Sequence, residues 1–198
     1  MKDLLIVGCG GHSKSIIEII NKGEWNIVGL IDKDNKQKRV IGDYEVIGTD
    51  KDLENLREKY LYGFVAIGQI GLPKIRKMVV DRMRTFNYKF PKIISQFSII
   101  SENASIKSGT SIGHGVIINA GAVINKHCII NTKALIEHDV VIGEYCHIST
   151  GAIINGGVKI GNNSFVGSGV IIREGLSIPP NSIISCGKRV MGWPLKEV

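Results

Sequence analysis

From Ile94 onward every sixth residue is aliphatic. The series runs Ile94, Ile100, Ile106 and so on through Ile136, Ile154, Val166 and Ile184, and it ends at Val190. Two residues before these positions the side chain is mostly small, as at Ala104, Thr110, Ala122, Cys128, Ala134, Cys146, Ala152, Ser164 and Ser182. The residue that follows is often Gly or Asn, as at Gly113, Asn119, Asn125, Gly143, Asn155 and Gly161. A fixed short period means identical turns stacked along one axis. Because strand side chains alternate faces, each hexad supplies a short strand whose aliphatic residue, with the small one two before it, points inward. Three hexads make a triangular coil, and successive coils lie roughly 4.8 Å apart. The pattern therefore predicts a parallel β-helix of between five and six coils, built on stacked isoleucine. A sandwich would not hold a strict six-residue period for so long.

The first ninety residues follow another rhythm. Asp3 to Val7 reads as a buried strand, and Gly8-Cys9-Gly10-Gly11-His12-Ser13 as a glycine-rich turn into a helix carrying Ile16, Ile17, Ile19 and Ile20. Trp25 to Ile31 is a second strand ending at Asp32. Lys38 to Thr49 reads as a short irregular or hairpin insertion, Asp50 to Tyr60 as a helix, and Phe64 to Gly68 as another buried strand. Pro73 to Phe86 reads as a basic amphipathic helix containing Arg76, with a last strand near Tyr88 to Phe90. This is a Rossmann-like βαβ start, expected to span residues 1–91, with the β-helix and a C-terminal cap over 92–198. Glycines let a backbone approach a phosphate, and the helix N-terminus presents free N–H groups to it. Gly8, Gly10, Gly11 and His12, with Asp32 and Gly68 at strand ends, are thus candidates for holding a nucleotide or nucleotide sugar. Ser13 stands where a dinucleotide fingerprint has Gly or Ala, so a simple tight turn remains the competing reading. Beyond Ile184, the stretch Gly192-Trp193-Pro194-Leu195-Lys196 is expected to cross the last coil as a cap, with Lys188 and Arg189 as candidate phosphate partners.

Composition narrows the function. The formal charge of +7 suits anionic ligands such as nucleotides and coenzyme A, and no stacking pattern or motif supports a nucleic acid partner. No apolar run approaches the ~18 residues of a membrane span, and Met1 to Gly8 runs into a strand without a leader, so a cytoplasmic location is expected. The four cysteines form no CxxC pair. Cys128 and Cys146, eighteen apart, should stack on adjacent coils as small core residues.

Five histidines remain. His138 is flanked by Glu137 and Asp139, and it falls at a corner of the coil. Eighteen residues on, the same corner carries Asn155-Gly156-Gly157, which leaves a notch beside the imidazole. A carboxylate neighbour would hold the ring's tautomer, and the Gly156 N–H would face a thioester carbonyl and stabilise the oxyanion of an acyl transfer. His147 precedes Ile148, so it points outward from a different side. Within one chain the two imidazoles cannot share a site; acting together, they would do so across a subunit interface. A zinc site needs three converging imidazoles, which the spacing does not supply, so no metal is expected.

The hexapeptide array, the Gly8-Cys9-Gly10-Gly11-His12 opening, the Phe64-Val65-Ala66-Ile67-Gly68 strand and Ile136-Glu137-His138-Asp139 followed by His147-Ile148-Ser149 resemble the family of sialic-acid O-acetyltransferases and bacillosamine N-acetyltransferases. The resemblance covers nearly the whole chain. It implies a left-handed β-helix, a homotrimer, and acetyl-CoA bound between neighbouring subunits as co-substrate. His138 would be the general base and Asp139 its partner, while His147, Gly156 and Ser168 would contact CoA. The N-terminal domain would hold a UDP- or dTDP-linked amino sugar. In several relatives a second acidic residue follows the one at Asp32; here Lys33 stands there. The leading expectation is N-acetylation of a nucleotide-activated 4-amino sugar. O-acetylation of sialic acid or another surface sugar is the alternative within the fold, and a non-catalytic nucleotide-sensing scaffold the alternative outside it.

Overall fold

The computed structural model describes residues 1–33 and 40–194. The chain divides into two units: 1–68 with 74–91, and 92–198 joined by the short segment 69–73.

In the first unit, β1 (Lys2–Val7), β2 (Trp25–Ile31) and β5 (Tyr62–Val65) run parallel, with β1 in the middle. β4 (Tyr44–Gly48) pairs parallel with β2, and β3 (Val40–Ile41) closes an antiparallel hairpin on β4. The insertion is thus a hairpin, although Lys38 and the rest of 34–39 lie outside the described residues. Helices α1 (Gly11–Ile19), α2 (Leu53–Lys59) and α3 (Lys74–Thr85) complete the unit. Leu4, Leu5, Ile6, Leu30 and Ile31 are fully buried, as strands covered on both faces require. The strand expected near Tyr88 is a single bridge, Tyr62 with Lys89. Arg76, read as part of a basic face, is buried on α3.

The second unit is a left-handed β-helix. Its seventeen two-residue strands, from Ile93–Ile94 to Arg189–Val190, each end on one of the six-step positions. They form three parallel sheets of six, five and six strands, in register eighteen residues apart: Ile118 pairs with Ile136, Ile136 with Ile154, and Ile154 with Ile172. The inward ladder is essentially closed to solvent from Ile112 to Val190, and burying each such side chain contributes about 1.5–3 kcal/mol. Ala122, Cys128, Cys146 and Ala152 beside it are fully buried, as their size requires, although Val116, Val140, Val158 and Val170 fill the same inward place on other turns. Cys128 and Cys146 are free thiols, their sulfurs lying 3.0 and 3.1 Å from the carbonyl oxygens of Gly143 and Gly161. Trp193 packs against the end of the core, and Leu195 and Lys196 lie outside the described residues.

A second six-residue rhythm turns the corners. From Gly109 to Gly187, every sixth residue has φ between +56° and +73°: glycine at most of them, but His127, Lys133, Asp139, Tyr145, Asn163 and Asn181 at the others. A side chain in this left-handed region costs roughly 1–2 kcal/mol, least for Asn and Asp.

Candidate functional site

Two cavities lie where the candidate residues gather, one in each unit. In the first, a cavity of about 430 Å³ opens at the carboxyl ends of β1, β2 and β5, the place where open parallel sheets take ligands. Gly8, Gly10, His12 and Asp32 line it with Cys9, and so do Lys33 and Asp50. Gly8 is required by its backbone: φ is +116°, and a Cβ there would stand 3.2 Å from the Ala66 carbonyl oxygen. Gly10 and Gly11 are different, since a Cβ on either would meet nothing within 4 Å. Their bareness leaves open space at the start of α1, where the helix dipole favours an anion. Gly68 is packed against His12, since a Cβ on it would stand 3.2 Å from that of His12. Ser13 explains its own departure from the fingerprint: it is fully buried and its hydroxyl donates to the Ala66 carbonyl at 3.1 Å, tying α1 to the end of β5.

Asp32 and Asp50 are the carboxylates of this cavity. Asp32 Oδ1 accepts the Lys33 N–H at 2.8 Å. The Asp50 carboxylate makes no bond within the chain among the described residues, and sequence reasoning missed it because it looked only like the start of a helix. Asp52, two residues on, is occupied otherwise. It caps the turn by accepting the Thr49 N–H at 2.7 Å and the Thr49 hydroxyl at 2.9 Å, and these bonds hold its carboxyl below the usual range.

The second cavity, about 510 Å³, lies on a corner of the β-helix and is lined by Glu137, His138, Asp139, Asn155, Gly156 and Glu174 with two further glycines. His138 Nδ1 is 3.0 Å from Asp139 Oδ2, so the ring donates from Nδ1 and leaves Nε2 as the free basic nitrogen. The pair is held between two bare positions. A Cβ on Gly156 would stand 2.6 Å from Nε2 of His138, and one on Gly121 would collide with Oδ1 of Asp139. Room for the imidazole comes from the coil after it, and room for the carboxylate from the coil before. The ring lies over Gly156, and the cavity runs beside it along Asn155, Gly156, Gly157 and Glu174. Gly121 was missed, although it stands eighteen residues before Asp139 and the stacking period points to it. Glu137 accepts from Asn119 Nδ2 at 3.0 Å and from the His138 N–H at 3.3 Å, which fixes the backbone on the other side of the ring. Among the described residues the Gly156 N–H has no acceptor, while its carbonyl takes the Gly175 N–H at 2.9 Å.

His147 projects from another sheet and does not line this cavity. It is not open to solvent, however. Its Nδ1 lies 2.6 Å from the Gln69 carbonyl, its ring meets Phe165 edge-on at 5.3 Å, and only 7% of it is exposed. The period placed it outward correctly, but it has no way to show that a segment seventy-eight residues earlier folds over it. Ser168, half-buried on the next corner, shares a hydroxyl contact of 2.9 Å with Ser149. Neither residue is brought to His138 within the chain. Among the described residues no group of three His, Cys, Asp or Glu side chains is placed to hold a metal ion.

Set against known proteins, residues 3–83 match the family profile of the PglD N-terminal domain, and residues 139–174 match that of the bacterial transferase hexapeptide (six repeats). No curated protein matches the chain. Among solved structures, it is similar to perosamine N-acetyltransferase from Caulobacter crescentus, studied as a histidine-to-asparagine variant in complex with CoA and GDP-perosamine. The TM-score is 0.89 at 29% identity, over 96% of this chain and 89% of that one. It is also similar to the acetyltransferase domain of PglB from Neisseria gonorrhoeae, with a TM-score of 0.86 at 26% identity over 96% and 92% of the two chains. The same domain in complex with acetyl coenzyme A gives 0.83 at 26% identity, over the whole of this chain and 99% of that one.

Proposed function

We propose that the chain is an acetyl-CoA-dependent N-acetyltransferase acting on a nucleotide-activated 4-amino sugar, working as a cytoplasmic homotrimer with its sites between subunits. The observation that carries this reading is the His138–Asp139 pair: an imidazole with its Nδ1 engaged and its Nε2 free, over a glycine whose N–H is unused. That is the equipment of an acyl transfer. His138 Nε2 takes a proton from the amine as the nitrogen attacks the thioester carbonyl carbon, and gives it to the sulfur as the C–S bond breaks. The Gly156 N–H donates to the carbonyl oxygen as negative charge develops there. Asp139 holds the tautomer and stabilises the imidazolium. The cavity lined by Gly8, Gly10, His12 and Asp32, with Gly11 and Gly68 next to its lining residues in the chain, takes the nucleotide portion, which a free sugar would not need. Similarity to proteins solved with CoA, acetyl coenzyme A and GDP-perosamine supports the same chemistry. In this reading His147 and Ser168 serve the CoA site from the neighbouring subunit.

The test is release of CoA thiol from acetyl-CoA in the presence of UDP-, dTDP- and GDP-linked 4-amino sugars, GDP-perosamine among them, with sialic acids as hydroxyl acceptors. Turnover is expected with an amino sugar, and His138→Ala should lower it by ~10² or more, with the oligomer and the circular dichroism spectrum unchanged. Acetylation of sialic acids alone, or full activity in the variant, would remove the reading.

A further inference from the structure

The cavity at His138 is one-sided along the β-helix axis. Its walls come from the coil of His138 and from the two that follow it, through Gly156 and Glu174, and from none before. An extended ligand whose reacting end lies at His138 therefore runs toward the last coils. At about 4.8 Å per coil, two to three coils onward is roughly 10–14 Å. The pantetheine arm of CoA, from sulfur to the first phosphorus, is equivalent to about four residues of extended chain, or roughly 15 Å.

At that distance the β-helix presents three cations together. Ile171 pairs in register with Arg189, its N–H donates to the Lys188 carbonyl at 3.0 Å, and the Arg173 N–H donates to the Val190 carbonyl at 2.9 Å. Arg173 stands on the same corner as His138, two coils further on. All three side chains are exposed, and among the described residues none makes a hydrogen bond or ion pair within the chain. Like charges gathered on adjacent coils repel one another unless an anion lies between them. Glu174 stands beside Arg173, two coils on from His138, as part of the cavity wall, and Lys188 and Arg189 lie one coil beyond both.

We propose that Arg173, Lys188 and Arg189 form the anion subsite that takes the diphosphate and 3′-phosphate of CoA. The inference rests on the CoA-dependent function proposed above, and it names residues that the function alone leaves open. The experiment is calorimetric titration of the full chain with CoA and with dephospho-CoA, which lacks the 3′-phosphate, at low and high salt. The wild type is expected to bind CoA about tenfold more tightly, with the margin shrinking as salt rises. The R173A/K188A/R189A variant should bind the two ligands equally and raise KM for acetyl-CoA about tenfold or more, with kcat at saturation and thermal unfolding unchanged. The R173K/R189K variant, which keeps the charge, should retain most of the preference. A wild type indifferent to the 3′-phosphate, or a triple variant that keeps its preference, overturns the subsite and leaves the acetyltransferase standing. A chain that binds neither ligand overturns both.

Discussion

At the scale of single residues, the site is decided by where the corners tolerate a side chain. Asp139 adopts φ +59°, while the equivalent residues on neighbouring coils, Gly121, Gly157 and Gly175, are glycines with φ from +67° to +73°. The fold asks for glycine at this column and the carboxylate is kept there against that preference, which is a usual mark of a functional position. Asp139→Gly separates the two demands. It should leave the thermal midpoint unchanged or raise it slightly, since relief of the left-handed strain offsets the added freedom of the unfolded chain. It should also cut turnover at least tenfold, because the His138 ring loses the acceptor that fixes its tautomer. The two readouts are a melting curve and CoA release; a large fall in stability would show that Asp139 is there to hold the corner.

At the scale of elements, the β-helix was legible because its period is short, strict and read by burial alone: each six-step position ends a strand. The corner rhythm was not legible. A left-handed residue is a backbone property, and with His127, Lys133, Asp139 and Tyr145 standing among the glycines no residue type marks it. The cradle at Gly8 was visible as glycines, but Asp50 and Lys33 reach the cavity through loop geometry that periodicity does not encode, and the Gln69 carbonyl reaches His147 by a long-range fold-back. One contact joining elements is open to a direct test. The Tyr88 hydroxyl, buried, donates to the Leu53 carbonyl at the start of α2 at 2.7 Å. Burial pushes its pKa up from 10.0 to about 12, with the Arg57 guanidinium pulling weakly the other way. The folded state thus favours the protonated phenol, so its contribution is fully present below pH 10 and is lost as pH rises through about 12. Denaturant midpoints across that window should fall for the wild type. Tyr88→Phe should be destabilised by ~1–2 kcal/mol at neutral pH and lack this alkaline component.

At the scale of the whole molecule, the outward positions of the β-helix bear on the homotrimer proposed above. On one sheet they are Ile99, Ile117, Leu135, Ile153 and Ile171, an aliphatic stripe along the axis that ends at Arg189 on the last coil. Ile99 is 68% exposed and Ile117 36%. The other two sheets differ. One carries Lys159 and Ser177 in its outward row, and on the third the Gln69 backbone lies over His147 and Gly71 lies beside Ile183. Such stripes are typical of interfaces, and the proposed homotrimer, a closed ring, would bury this one once per subunit. The His138 corner begins where the striped sheet ends, so closing the ring would wall the cavity with a neighbour. A single charge in the middle of the stripe tests this. Ile153→Asp should convert three copies of the 21.6 kDa chain to one in light scattering, because an unpaired carboxylate buried at the interface would cost several kcal/mol. Ile154 beside it still points inward, so the β-helix should keep its circular dichroism spectrum. Its CoA release should fall with the loss of assembly and recover at concentrations where trimer re-forms; a monomeric variant with full turnover would place the whole site within one chain.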